Sequence, residues 1–576
     1  MQREGIFMVS KLISGIHKLA KIILAFCRLV ERLGRNWPEF VALALYVVGH
    51  LVMAIYHEPW YDEAVAWQIA RCASVKDILF EIPHYEGHPP LWHLVLLPFA
   101  KLGAPYELSL SFVSLLFTGT AVALILWKSP FPRLVRLLIP FTYFFFYQYS
   151  VISRPYAMMM LAFVLLAMAY PTRNEKPGRY TLGLMFLCLT SAYGIVLAGG
   201  LAMVWVWEIW NKQNILQWFK SFLHDQRILW LAGLLALAIF LILGIMPRED
   251  TFAVKNIVGA VGKNPWGIRL LYTFIALPSE VLYTSVYSQY TYLQNADLFE
   301  NGFALAIILG LILWGILIYC SSKKKLSALL LVPHFLFSTF SASIYMCIHH
   351  TGIVLLFYLF WVWVYSMSSP PSHSLSVFQP QIKDCISVLI AMAIVIGFYW
   401  TSSVVIHDVN KNYDPGRSIA AFIHTHHLDQ YNILCQWTVK YSTDGVVQKV
   451  DTKYSDYADP VSPYFSSNIF YNIANGSNRS NYSSHIVATE ADNISNLALW
   501  KSKGYPDVLY MYPELSLLWA PYELSYEDYA VVHKSIASRL WKSHCFPSSY
   551  HIFVRRDLLN ALELEDLGPL VIVRGQ

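Results

Sequence analysis

Over its first 404 residues the chain alternates long apolar stretches with short polar loops, and beyond that it changes to short runs of mixed character. A helix needs roughly 20 apolar residues to cross a bilayer, or about 17 at the low end. The pattern predicts about eleven spans: 37–56, the stretch after residue 106, 137–152, 156–170, two short spans within 178–210 pinched at Tyr193-Gly194, 229–246, 303–320, 326–347, 353–367 and 385–404. The run from Pro89 to Leu102 is also apolar, but it has only 14 residues and contains Pro89, Pro90 and Pro98. A helix lying in or dipping into the interface fits it better than a crossing.

Basic residues give an orientation. If 89–102 does not cross, WKSPFPRLVR and the loop carrying Arg173, Lys176 and Arg179 both fall on the side of the N-terminus, and SRPYA (153–157) falls on the other. The inner segments then hold twenty Lys and Arg, and the outer loops before the tail hold eight. That imbalance is the positive-inside pattern. Residues 1–36 read as a cytoplasmic amphipathic segment, and 37–404 as a transmembrane domain with an acidic outer loop at 57–106. Residues 405–576 read as an extracytoplasmic α/β domain, so the chain is a multi-pass protein of the cell membrane.

In the tail, Asp414-Pro415-Gly416 opens the amphipathic run SIAAFIHTHHL, with the acid placed to cap it. YNILCQW, DVLYMY, YAVVH and YHIFVRR are strand-like, and NISNLALWKSKG between the first two is helical. Composition agrees with a membrane chain: 14% of residues are charged, against about 25% in soluble domains. The net charge of +5 is concentrated in particular loops, which argues for orientation in a membrane and against nucleic-acid binding. The eight cysteines form no CxxC pair, so no zinc or redox motif is present. Cys435 and Cys545 lie in or beside strand-like runs, where an oxidising compartment permits a disulfide.

Candidate chemistry concentrates in residues 57–92, which hold six carboxylates and three histidines between two apolar regions. Four outer-face features lie at one membrane depth: the Asp62-Glu63 pair, EGHPPLW (86–92), SRPY (153–156) and IHHTG (348–352). An acid pair, an arginine and histidines at one interface suit chemistry on a lipid-linked phosphate. A carboxylate takes a proton from an acceptor hydroxyl. An arginine holds a phosphate and stabilises it as a leaving group.

WYDEA after the first span, EGHPPLW opening an apolar helix and the SRPYA turn together resemble the GT-C membrane glycosyltransferases. The nearest group is the bacterial RgtA/B/C/D-like enzymes, with protein O-mannosyltransferases and lipid A aminoarabinose transferases further off; the resemblance covers roughly residues 37–367. It implies a GT-C fold and transfer of a sugar from a polyprenyl-phosphate donor to a glycan, lipid or protein acceptor of the cell envelope. It implies Asp62 as catalytic base with Glu63 beside it, Glu86 and His88 lining the site, and Arg154 near the lipid phosphate. Tyr156 stands where many relatives carry a second acid, and His349-His350 where relatives often carry Arg-His. No cofactor or metal ligand is assigned, and a divalent metal is left open.

Each assignment has a plainer alternative. Asp62 and Glu63 can simply cap an interfacial helix, and Arg154 can anchor a span by snorkelling. Glu86 and His88 can be a solvated turn, His349 and His350 ordinary interfacial residues. Glu280 and Arg248 read as surface charges, and Glu208 as structural. The competing function is a polytopic transporter or lipid flippase, which keeps polar groups at the bilayer midplane on broken helices. The spans show few charges and no clear repeat.

Overall fold

The computed structural model describes residues 2–568 apart from 35, 211–224, 252–261, 290, 369–379, 442–446, 453–456, 474–486, 513–523 and 525. Among the described residues, seven helices are long and apolar enough to cross a membrane: Trp37–Tyr56, Tyr106–Lys128, Ala192–Trp210, Gln226–Ile245, Phe303–Lys323, Ile348–Met367 and Asp384–Asn410. This is the architecture of a helical membrane protein. Shorter helical pieces complete the bundle, including Tyr156–Ala169, Pro177–Cys188 and Ser327–Ser343. Between Arg133 and Val151 the chain passes from α through 3-10 to a fully buried π-helical run, Phe144–Val151.

Two boundaries differ from the sequence expectation. The break expected at Tyr193-Gly194 falls at residues 189–191. There the Ser191 hydroxyl accepts the Gly194 N–H, and the Thr190 hydroxyl donates to Leu187 O. Gly194 is glycine because a Cβ there would lie 2.2 Å from Leu187 O, so it marks a close approach rather than the pinch itself. The last apolar helix, expected to end at 404, runs Pro380–Asn410, and the boundary set at 405 cuts through it.

Ion pairs show which helix ends lie together. Glu39, in the first turn of Trp37–Tyr56, accepts two bonds from Arg133, at 2.8 and 2.6 Å, and one from Arg136 at 3.1 Å. Tyr106–Lys128 therefore runs back to the end of the bundle where Trp37–Tyr56 began. Leu91–Lys101 has 11 residues, a rise of about 17 Å, against a hydrocarbon core of about 30 Å. It packs through Trp92, Leu96 and Ala100 on Ala64, Trp67 and Ala70 of the neighbouring helix Tyr61–Cys72.

Part of the stretch between the expected spans 229–246 and 303–320 is helical and packed into the bundle. Trp266–Leu271, Tyr272–Ala276 and Leu277–Glu280 follow one another against Phe303–Lys323 and Ser327–Ser343. Trp314 donates its indole N–H to Phe274 O at 2.7 Å, and the two rings stack. Glu280 is not a surface charge. It is fully buried, accepts from Val286 N, and pairs with Lys542 of the tail at 3.1 Å.

The tail contains a four-stranded sheet in the order β1 (Ile433–Cys435), β4 (Val508–Met511), β6 (His544–Arg555), β5 (Tyr529–Trp541). The pair β1 and β4 is parallel, and helix Glu490–Lys501 lies between them in sequence. A separate hairpin, β2 (Thr438–Tyr441) with β3 (Val447–Asp451), had no counterpart in the sequence reading. The tip of the β5–β6 hairpin enters the helical bundle. Lys542, at φ 52°, is fully buried, with its ammonium over the rings of Trp400, Phe144 and Trp541. The disulfide permitted by the sequence does not form, and both cysteines are free. Cys435 pairs with Tyr510 and Tyr510 with Ile552, seven residues along β6 from Cys545; at the strand rise that is about 23 Å, far beyond the ~7 Å limit for Cα atoms of a bridge.

Candidate functional site

The site forms where helix Trp37–Tyr56 ends and the interfacial helix Tyr61–Cys72 begins. Glu63 closes the first turn of the interfacial helix, its Oε2 accepting Trp60 N at 3.1 Å. The same carboxylate reaches across the bundle, and its Oε1 accepts Ser153 N at 2.6 Å. His57 Nε2 donates to Oε2 at 3.3 Å, and His57 Nδ1 donates to Asp408 at 3.1 Å. Tyr147 adds its hydroxyl to Asp408 at 2.6 Å. Burial opposes a charge on His57, but the hydrogen bonds to Asp408 and Glu63 outweigh it and lift the imidazole to about 10. One cation thus sits between two carboxylates, and the group ties together two apolar helices, the interfacial helix and the SRPY turn.

This network fixes the residues on either side of it. Asp62 precedes Glu63 and Arg154 follows Ser153, and the two side chains meet at 3.2 Å, Arg154 Nη2 to Asp62 Oδ2. Arg154 is mostly buried and keeps its charge because Asp62, with Tyr156 and Glu86, offsets the burial. Its Nε is buried with no hydrogen-bond partner among the described residues. His349 lies beside them, its ring 5.9 Å from Trp60 and 6.4 Å from Tyr156. Its Nδ1 is likewise buried and unpartnered.

Glu86 and His88 flank the pair on another side. The short helix Pro83–Glu86 stops at Gly87, whose φ of 65° suits glycine and turns the chain into His88-Pro89. Burial, together with the nearby Arg154, pushes His88 down to about 3, so it is neutral. Glu86 is half-buried and acts electrostatically on both His88 and Arg154.

The structure therefore brings Asp62, Arg154, Tyr156, His349 and His88 together, with Glu86 at their edge. Two other sequence candidates sit beneath them. Both oxygens of Glu63 are occupied and its side chain is 1% exposed, which suits a structural tie and not a base. His350 is buried, and its Nδ1 accepts Cys347 N at 3.0 Å, closing the 348–350 turn. Gly352 in that turn is required by contact: a Cβ would lie 2.1 Å from the Phe144 ring.

Several residues of the site were not picked out in the sequence. Asp408 is an acid near the end of an apolar helix, itself a sign of function or pairing, but it lay beyond the expected span. His57 was counted among the loop histidines without a role. Arg539 of the tail places its guanidinium 5.1 Å from the Trp60 ring while pairing with Asp414 at 2.7 Å. Arg417 holds Glu107 through two bonds and also donates to His57 O. The tail thus contacts the residues that frame the site.

Among the described residues no three His, Cys, Asp or Glu side chains converge as a metal-ligand set. The arrangement offers a carboxylate as proton acceptor, a guanidinium for an anionic oxygen, and neutral imidazoles and a phenol beside them. Comparison with protein-family models, with characterised proteins and with solved structures finds no match.

Proposed function

We propose that the chain is a membrane glycosyltransferase of GT-C type, with about eleven spans, its N-terminus cytoplasmic and its tail extracytoplasmic. It moves a sugar from a polyprenyl-phosphate donor to a glycan, lipid or protein acceptor at the outer face. The observation that carries this reading is the meeting of Asp62 and Arg154 at 3.2 Å, with Arg154 Nε still lacking a partner. Asp62 and Arg154 come from segments 92 positions apart, and Glu63, the residue after Asp62, accepts the backbone N–H of Ser153, the residue before Arg154. In this role Asp62 removes the proton from an acceptor hydroxyl, and the acceptor oxygen bonds to the anomeric carbon. The bond from that carbon to the phosphate oxygen breaks, its electron pair stays on the phosphate, and Arg154 stabilises the charge.

The basic loops and the Glu39–Arg133–Arg136 cluster at the opposite end of the bundle support the assigned orientation. The transporter reading has one point in its favour, the broken helical segment Trp266–Glu280. The buried acid of that segment is already paired with Lys542, which leaves it no carboxylate for a cargo ion. The test is to incubate the purified chain with a panel of polyprenyl-phosphate sugars and membrane extracts, and to measure released polyprenyl phosphate. Release that depends on Asp62 and Arg154 is expected; no release with any donor, or release unchanged in Asp62→Asn, refutes the assignment.

A further inference from the structure

Asp62 and Arg154 hold each other, and this has a consequence for the order of events at the site. The Nη2 of Arg154 contacts Asp62 Oδ2, one of the two oxygens that can receive the acceptor proton. The same guanidinium is the group that must receive the donor phosphate. While the pair is closed, one oxygen of the base and one nitrogen of the phosphate-binding guanidinium are engaged with each other. The second donor of Arg154, the buried Nε, has no partner among the described residues. An incoming anion therefore has a donor waiting beside the one that Asp62 holds, in the side-by-side geometry guanidinium groups use for oxyanions.

Resting on the proposed glycosyltransferase reading, we infer that Asp62 is the resident counter-ion of Arg154, which the donor phosphate displaces, so that donor binding frees the base and precedes activation of the acceptor. The phosphate takes Nε and Nη2, and the released carboxylate turns to the acceptor hydroxyl. Glu63 keeps the two backbones in place during the exchange, because its bonds to Trp60 N and Ser153 N do not involve either reacting side chain. Neutral His88, beside Arg154, adds no competing charge. The arrangement also restrains acceptor activation when no donor is bound.

If the phosphate displaces Asp62, removing the base should improve phosphate binding. The probe is a polyprenyl monophosphate without sugar, titrated against the full chain in lipid nanodiscs. Asp62→Asn and Asp62→Ser should each bind it roughly tenfold more tightly than wild type, a common size for coupling between groups, and Arg154→Ala should lose binding. Two Asp62 variants guard against a local defect of either one, and a cooperative thermal transition in each confirms that both are folded. If both bind no better than wild type while Arg154→Ala still loses binding, the displacement is wrong and the phosphate site stands. If Arg154→Ala binds as wild type does, the phosphate site itself is wrong, and the inference falls with it.

Discussion

Replacing His57 by leucine tests the network under the site. His57 is the single cation between Glu63 and Asp408, at 3.3 and 3.1 Å, and all three side chains are 4% exposed or less. Glu63 would keep two backbone donors, Trp60 N and Ser153 N. Among the described residues Asp408 would keep only the Tyr147 hydroxyl, and its Oδ1 is already buried without a partner there. Removing one member of such a buried pair costs about 3–5 kcal/mol, because the remaining charge is left uncompensated. Adding Asp408→Asn removes that orphan, so the double variant should recover more than half of the loss. The pH dependence has a definite sign. The folded imidazole sits at about 10 and the unfolded one at about 6.5, so its stabilisation is complete below the unfolded value and is lost as pH rises through the folded one. Thermal unfolding of the purified protein, followed by tryptophan fluorescence from pH 7 to 10.5, reads both effects. The wild-type midpoint should fall toward that of His57→Leu as pH rises. A His57→Leu protein within about 0.5 kcal/mol of wild type at pH 7, the range of ordinary surface changes, would refute the reasoning, as would a gap that stays constant with pH.

Asp62→Asn should lower sugar transfer by about 10²–10⁴, the usual contribution of a general base, while the protein still folds, with some loss of thermal midpoint because Arg154 loses its counter-ion. Arg154→Lys keeps the charge but loses the planar fork, so it should still be impaired in transfer assays with the active donor. Lys542→Ala should destabilise the protein by about 3–5 kcal/mol, because Glu280 is left buried without its cation, and Glu280→Gln in the same chain should return part of it; both are read by thermal unfolding. Gly352→Ala should cost about 1–3 kcal/mol, since its Cβ would meet the Phe144 ring at 2.1 Å and the Tyr149 hydroxyl at 2.8 Å. Truncation after Thr401 removes Asp408, Arg417, Arg539 and Lys542, so the core is expected to lose stability and donor binding together, measured by size-exclusion profile and lipid titration.

Apolar run length was enough to place most of the described helices, because hydropathy is a local property of the sequence. The four strand-like runs of the tail were legible for the same reason, each being a short cluster of β-branched and aromatic residues. Asp62, Arg154 and His88 stood out as polar residues beside apolar helices, and the structure places them together. The supporting contacts were not legible. Whether Glu63 is a base or a tie depends on where Ser153 N lies, 90 residues away. Glu280 looked like a surface charge because its partner, Lys542, is 262 positions further on at a hairpin tip. Asp408 was lost to a span boundary drawn where hydropathy fades, while the helix itself continues to Asn410. In each case a contact distant in sequence decides the role.

The most direct test of the central claim is a cryo-electron microscopy map of the full chain in nanodiscs with a polyprenyl monophosphate. Phosphate density is expected against Arg154 Nε and Nη2, with the Asp62 carboxylate turned away from the guanidinium and the lipid chain running into the bilayer beside it. Lipid bound at the bilayer midplane, with the Asp62–Arg154 contact intact, would contradict the account and return the protein to the transporter class.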